Sequence, residues 1–274
     1  MTFDGRLISL AHLSMMEVAP VDLVRAAASA GYDSVGIRLV PTSDGIDHQV
    51  LGHPQRLAEL RAELDDTGVS VLDIEVVRLK PQGPGDVRPL LEAGANLGAR
   101  HVICTVEDAD LHRSVDSLAA FAALAAEFGI RANLEYMIFS SCPTLTKALA
   151  LVALAGGAAS VLVDPLHHER GSGRPVEVAG LSVDVLPYIQ FCDATPAGPA
   201  PDALTARTEA VLGRLLPGDG ELPLGDLVAN LDPGAGISVE SPVRGQRRPE
   251  DPAAWAARSL AATHKVIEAS GQGT

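Results

Sequence analysis

Aromatic side chains are scarce in this chain, 3% of its residues, with a single tryptophan. A stacking platform for free sugar rings has little to draw on beyond Tyr136, Phe139, Tyr188 and Trp255, and Trp255 lies in a helical stretch where packing is its expected role. Cations are also few. Lys and Arg number 21 against 35 Asp and Glu, a net charge of −14, and they form no basic block, so the phosphate-neutralising surface that nucleic acid requires is missing. Long apolar runs are absent too. No window reaches the ~18 uncharged apolar residues of a membrane span, and "MTFDGRLISLAHLSMMEV" has no cationic start before a long apolar run. The expectation is a soluble cytoplasmic protein with no membrane partner. Cys104, Cys142 and Cys192 are odd in number and scattered, without Cys-x-x-Cys spacing, which suggests buried reduced thiols rather than disulfides or a zinc-thiolate site.

What is present is length, apolar content and alternation. A chain of 274 residues, 47% hydrophobic, can bury a large core, and one domain over 1–274 is the starting expectation. Eight short apolar or β-branched runs recur: 7–10, 34–38, 70–76, 100–105, 131–136, 160–164, 188–193 and 236–240. Segments of helical period rich in Ala, Leu and Glu lie between most of them, at 20–32, 54–68, 87–99, 114–129 and 144–157, several ending in Gly. A final helix is expected over 251–270, opened by Asp-Pro. Alternating strands and helices predict a parallel sheet, and eight units close into an α/β (β/α)₈ TIM barrel. A doubly wound open sheet is the rival, but no G-x-G-x-x-G follows the first strand and no P-loop occurs. Residues 194–222 form the one long insertion, expected to loop over the barrel mouth before a seventh helix at 223–231.

Chemistry in this fold sits at the C-terminal ends of strands. The stretch "SVLVDPLHHERGSG" puts Asp164 where an apolar run surfaces, with His167 and His168 in the loop that follows. Asp-x-x-His suits a metal, a catalytic dyad or an ordinary loop. The other late strand ends supply Glu135, Gln190 with Asp193 just beyond, and Glu240. Carboxylates converging on one opening repel, and a divalent cation removes that cost and holds them ionised. Such oxygen-dominated ligation suits Mn²⁺ or Mg²⁺ better than structural zinc, with Co²⁺ and Zn²⁺ also open. A lone acid at a strand end is more often a cap or an ion-pair partner, and that reading is preferred for Asp193, before Ala-Thr-Pro. Glu75 and Glu107 lie near strand ends without their spacing deciding a role, and "DIEVV" can equally turn Glu75 toward the helices. His12 can line the mouth; His48, His53, His112 and His264 read as solvated loop or helix residues, and His101 begins a strand at the opposite end.

With "NLEY" on the fifth strand, "VDPLHH" on the sixth, "YIQFCDA" on the seventh and "ISVES" on the eighth, the chain resembles the xylose isomerase-like TIM barrels, a superfamily of sugar and sugar phosphate isomerases and epimerases. The resemblance spans the whole order of elements. It implies a metal held by Glu135, Asp164, Gln190 and Glu240, with glutamine standing where the family's usual ligand is histidine, and His167 facing substrate. A glutamine oxygen binds a hard cation and shifts preference away from zinc. Gln190 and "GRLLPGDGELPL" (213–224) are similar to the 3-dehydroshikimate dehydratase branch, which makes Arg214 a candidate for a substrate carboxylate or phosphate. Arg78 can assist it.

The implied activity is a divalent-metal-dependent isomerase or epimerase of a small sugar, sugar phosphate or sugar-derived ketone. Glu135 or Glu240 takes a proton beside the carbonyl to give a metal-bound enediolate, and His167 serves as proton donor or carbonyl ligand. A metal-dependent dehydratase of a cyclic hydroxyketone such as 3-dehydroshikimate is the alternative, and a catalytically silent binding barrel is the third reading. The expected partner is a small polyol or keto compound, and homo-oligomerisation is left open.

Overall fold

The computed structural model of the protein describes residues 5–42, 45–196, 202–242 and 251–271. All eight expected strands form: β1 (Ile8–Leu10), β2 (Ser34–Arg38), β3 (Ser70–Leu79), β4 (His101–Val106), β5 (Arg131–Glu135), β6 (Ser160–Leu162), β7 (Tyr188–Phe191) and β8 (Gly236–Val239). Every ladder is parallel, in the order β6-β5-β4-β3-β2-β1-β8-β7. β6 and β7 meet at one bridge, Val163 with Ile189, which nearly closes the TIM barrel. Most strand residues are buried on both faces, as a parallel sheet wrapped in helices requires.

The wrapping helices are α1 (Pro20–Ala30), α2 (Pro54–Thr67), α3 (Arg88–Leu97), α4 (Leu111–Glu127), α5 (Leu145–Leu154), α6 (Pro165–Arg170), α7 (Ala203–Thr208), α8 (Leu224–Asn230) and α9 (Pro252–Ala269). Helix α1 stops because Gly31 takes φ 97°, a left-handed turn that feeds the chain back into β2. Small side chains let helices lie close on the sheet. A Cβ on Gly94 of α3 would come within 2.4 Å of Ile74 Cδ1 on β3. Helix α9 packs beside α1, where Tyr32 and the Ser259 hydroxyl share a 2.7 Å hydrogen bond, and Trp255 of α9 is buried in the hydrophobic core, the packing role expected of it. All three cysteines are free and buried.

Two segments differ from the sequence reading. His167 and His168 lie in helix α6 rather than a loop, because the Asp164 side chain caps that helix and Pro165 starts it with φ preset. Within the 194–222 insertion, α7 runs on into a π-helical turn, Glu209–Gly213; residues 197–201 lie outside the described residues.

Asp193 anchors the far end of that insertion. Its carboxylate accepts from the backbone N–H groups of Ala194 (2.8 Å), Gly218 (2.9 Å) and Leu222 (3.0 Å), the turn role expected of it. Its backbone also pairs twice with Leu215. Replacing Asp193 with Ala strips three backbone amides, two of them buried, of their acceptor and should cost on the order of 3 kcal/mol in urea unfolding; Asp193→Asn should recover part of it.

Candidate active site and metal centre

Three side chains meet where β5 and β6 end. Glu135 is the last residue of β5, and Asp164 follows β6. Asp164 Oδ1 accepts from the N–H groups of Leu166 (2.8 Å) and His167 (3.3 Å), which winds the chain at once into α6 and turns the His167 ring back over the mouth. His167 Nε2 thereby lies 3.9 Å from Glu135 Oε1. One ligand atom from each of Glu135, Asp164 and His167 falls within 4.8 Å of the others. His168, on the other side of α6, is held away from the mouth. Its Nδ1 lies 2.8 Å from the Tyr136 hydroxyl and its Nε2 3.0 Å from the Arg174 carbonyl, fixing the helix that carries His167.

Gln190 and Glu240 stand beside this trio, on β7 and just after β8. Gln190 donates through Nε2 to Glu240 Oε1 at 2.6 Å. Arg214, from the insertion, ties the two groups together. Its Nη1 donates to Asp164 Oδ2, lies 2.9 Å from Glu240 Oε2 and donates to the Glu240 carbonyl at 3.2 Å. Its Nε donates to the Ala210 carbonyl at 2.7 Å. Arg214 is 2% exposed, so this cation is spent within the protein rather than offered at the rim.

Burial sets the charge states. Glu135 is pushed up to about 8, first by burial and then by the Asp164 charge. Glu240 is also pushed well above the ordinary carboxylate range; burial dominates, Arg214 opposes it and Glu135 adds to it. Burial opposes ionisation of Asp164 as well, but Arg214, His167 and two backbone N–H groups outweigh it and hold the carboxyl below its usual value. His167 is lowered to about 4 by burial, so its imidazole is neutral at neutral pH.

The residues fit a divalent cation. Besides the Glu135, Asp164 and His167 trio, Gln190 brings an amide oxygen, Oε1, that is buried and has no hydrogen-bond partner. A buried acceptor left bare is costly, and a hard cation satisfies it. The geometric cluster adds His167 as a ligand candidate beside Glu135 and Asp164, where the expectation is Glu135, Asp164, Gln190 and Glu240 as ligands and His167 facing substrate.

A cavity of about 770 Å³ opens above these groups. Glu135, His167, Gln190, Arg214 and Glu240 line it. Arg78 lines it too, 3.6 Å from Glu107 at the rim. Glu75 faces the cavity rather than the helices and meets Arg38 at 3.4 Å. Arg38 and Thr105, at the ends of β2 and β4, are cavity residues that the sequence reading passed over; their strand-end positions were the available signal. His12 is a correction. It is fully buried and outside the cavity wall, with Nε2 2.9 Å from the Val18 carbonyl and Nδ1 accepting from the Arg38 N–H at 3.1 Å. With both ring nitrogens committed to backbone, it has none for substrate. His48 stacks on His12 with ring centroids 4.9 Å apart, and its Nε2 lies 2.8 Å from the Met16 carbonyl.

Two outcomes follow. Arg214→Ala leaves Asp164 and Glu240 buried without their cation and should destabilise the metal-free protein by about 3–5 kcal/mol in denaturant titration. The raised Glu135 carboxyl favours its neutral form in the fold, so its contribution to stability is full below pH 4.5 and lost as pH rises through about 8. Melting temperature of the metal-free protein should fall over that window, and Glu135→Gln should make the fall shallower.

A family model described as xylose isomerase-like TIM barrel matches residues 24–263. Among solved structures, a xylose isomerase-like TIM barrel/4-hydroxyphenylpyruvate dioxygenase fusion protein superposes with TM-score 0.79 at 21% identity. That match covers 97% of this chain and 43% of the fusion protein, so this chain spans under half of it. The IolI protein, solved with a bound zinc atom, gives TM-score 0.77 at 16% identity over 96% of this chain and 98% of that one. D-psicose 3-epimerase from Clostridium cellulolyticum H10, solved with D-tagatose, gives 0.70 at 16% over 95% and 99%. At these identities the likeness is one of fold. No curated protein matches the chain.

Proposed function

The chain belongs to the xylose isomerase-like TIM-barrel family, and on that premise we propose that it is a divalent-metal-dependent isomerase or epimerase of a small sugar, sugar phosphate or sugar-derived ketone. The observation that carries this reading is the buried trio of Glu135, Asp164 and His167 within 4.8 Å, beside the bare Gln190 oxygen. The zinc in IolI and the sugar epimerase among the fold neighbours agree with it. Glu135, Asp164, Gln190 and Glu240 would hold the cation, with His167 close enough to join them. A divalent cation there supplies Lewis acidity toward a carbonyl and keeps neighbouring carboxylates ionised, with manganese or magnesium preferred by the oxygen-rich donor set.

The side chains supply the proton transfers. Glu135 and Glu240 stand at two strand ends across the same opening, so one can remove the proton beside the carbonyl and the other can return one. Return to the neighbouring carbon isomerises the substrate, and return to the opposite face of the same carbon epimerises it. His167, neutral at working pH, can give a hydrogen bond to the developing enediolate oxygen without adding a full charge. Arg214 compensates charge from within the wall, and Arg78 at the rim meets an anionic substituent.

A second reading rests on Glu240. Burial raises its carboxyl well above the ordinary range against the pull of Arg214, and a carboxyl so raised suits proton donation to a departing β-hydroxyl, as dehydration of a cyclic hydroxyketone such as 3-dehydroshikimate requires.

Incubation of the manganese-loaded enzyme with ketoses in D₂O should give solvent deuterium at the carbon beside the carbonyl, read by NMR. Glu135→Gln should slow that exchange by about 100-fold or more. Metal uptake equal to wild type in the Glu135→Gln/Glu240→Gln double variant would sink the assigned site. A new ultraviolet band from 3-dehydroshikimate, with no ketose exchange, would replace the first reading by the second.

A further inference from the structure

The strand-end residues use only part of the space above them. The cavity holds about 770 Å³. A six-carbon ketose has about twelve non-hydrogen atoms, whereas clefts of about 300–1,000 Å³ ordinarily enclose ligands of drug size. The character of the wall changes away from the acids. Leu204, Val211 and Leu212 on the 203–213 helical segment line it, together with Met137 and Phe139 after β5. Leu204 is 76% exposed and Leu212 51% exposed although both line the cavity. Apolar side chains turned toward open space in this way mark surface that a ligand covers, and a hydroxylated small sugar is a poor match for them. This wall starts at the chemistry: the Phe139 ring meets His167 edge-on with centroids 5.3 Å apart. Arg207, on the same helical segment as Leu204, holds its guanidinium 4.6 Å from the centroid of the Phe139 ring, so the segment and the apolar wall are joined.

We propose that the substrate is a polyol ketone bearing an apolar group of aryl size, as in an aryl glycoside with one ring hydroxyl oxidised to a ketone. Leu204, Val211 and Phe139 seat the apolar group while the strand-end residues hold the polyol. This deepens the isomerase or epimerase reading and rests on it for the polyol end of the site.

Phenyl β-D-glucopyranoside and methyl β-D-glucopyranoside serve as non-reacting probes. Calorimetric titration of the full chain with manganese present should give a dissociation constant at least about tenfold lower for the phenyl compound, because only its ring buries apolar surface on this wall. Leu204→Ser, at an exposed position that folding tolerates, should reduce that ratio to below about threefold. A ratio near one in the wild-type chain, no heat from either glycoside, or a ratio left intact by both Leu204→Ser and Val211→Ser overturns the proposal. Ketose C–H exchange in D₂O by the wild-type enzyme separates this failure from that of the preceding section. Exchange with a ratio near one removes the apolar subsite alone, whereas a tenfold ratio without exchange keeps the subsite and overturns the assigned chemistry.

Discussion

One guanidinium nitrogen, Nη1 of Arg214, stands between two buried carboxylates, Asp164 and Glu240. Four acids, Glu75, Glu135, Asp164 and Glu240, crowd the mouth of a barrel whose walls exclude water, and their mutual repulsion there is large. Arg214 lies between two of them and Arg38 faces Glu75, yet burial still pushes Glu75 and Glu240 upward and Glu135 up to about 8, while Asp164 alone of the four is held below its usual value. The site is therefore poised. Glu135 and Asp164 would hold a divalent cation between them, Glu135 giving up a proton to do so beside an Asp164 held below its usual value.

That arrangement places demands on parts of the chain far from the acids. Arg214 reaches the mouth because the stretch 202–222 folds back over it, and that stretch is pinned by Asp193 through the amides of Gly218 and Leu222. His167 points inward because Asp164 caps α6, and α6 is braced from behind by the Tyr136, His168 and Arg174 contacts. Asp164 thus does two things at once. One oxygen holds the helix that presents His167, and the other meets Arg214. The helical segment that delivers Arg214 also supplies apolar side chains to the cavity wall, so charge compensation and the shape of the cavity are carried on the same piece of chain.

Much of this is legible in the sequence. Eight apolar runs separated by helical periods define the strands, and in a parallel barrel the last residue of each strand is forced to the mouth, so Glu135, Asp164, Gln190 and Glu240 can be named without coordinates. Asp193 reads as a turn residue from its Ala-Thr-Pro context. His12 shows where strand position fails as a guide. It follows β1 as the acids follow their strands, yet the chain leaves that strand in a tight turn and both ring nitrogens are taken by backbone. Glu75 shows the reverse, because alternation along β3 is interrupted by register shifts and the facing of its side chains is not given by counting in twos.

The sequence by itself determined the barrel, the order of its elements and the acids that end its fifth, sixth and eighth strands, because hydrophobic periodicity and chain connectivity are local properties that force the rest. Tertiary structure alone decided that Arg214 is an internal counter-ion, that His167 joins Glu135 and Asp164, and that the cavity has an apolar wall. Each of these depends on contacts between residues remote in the chain, 50 positions in the case of Arg214 and Asp164, where distance, burial and the competition among neighbouring charges have no signature in spacing.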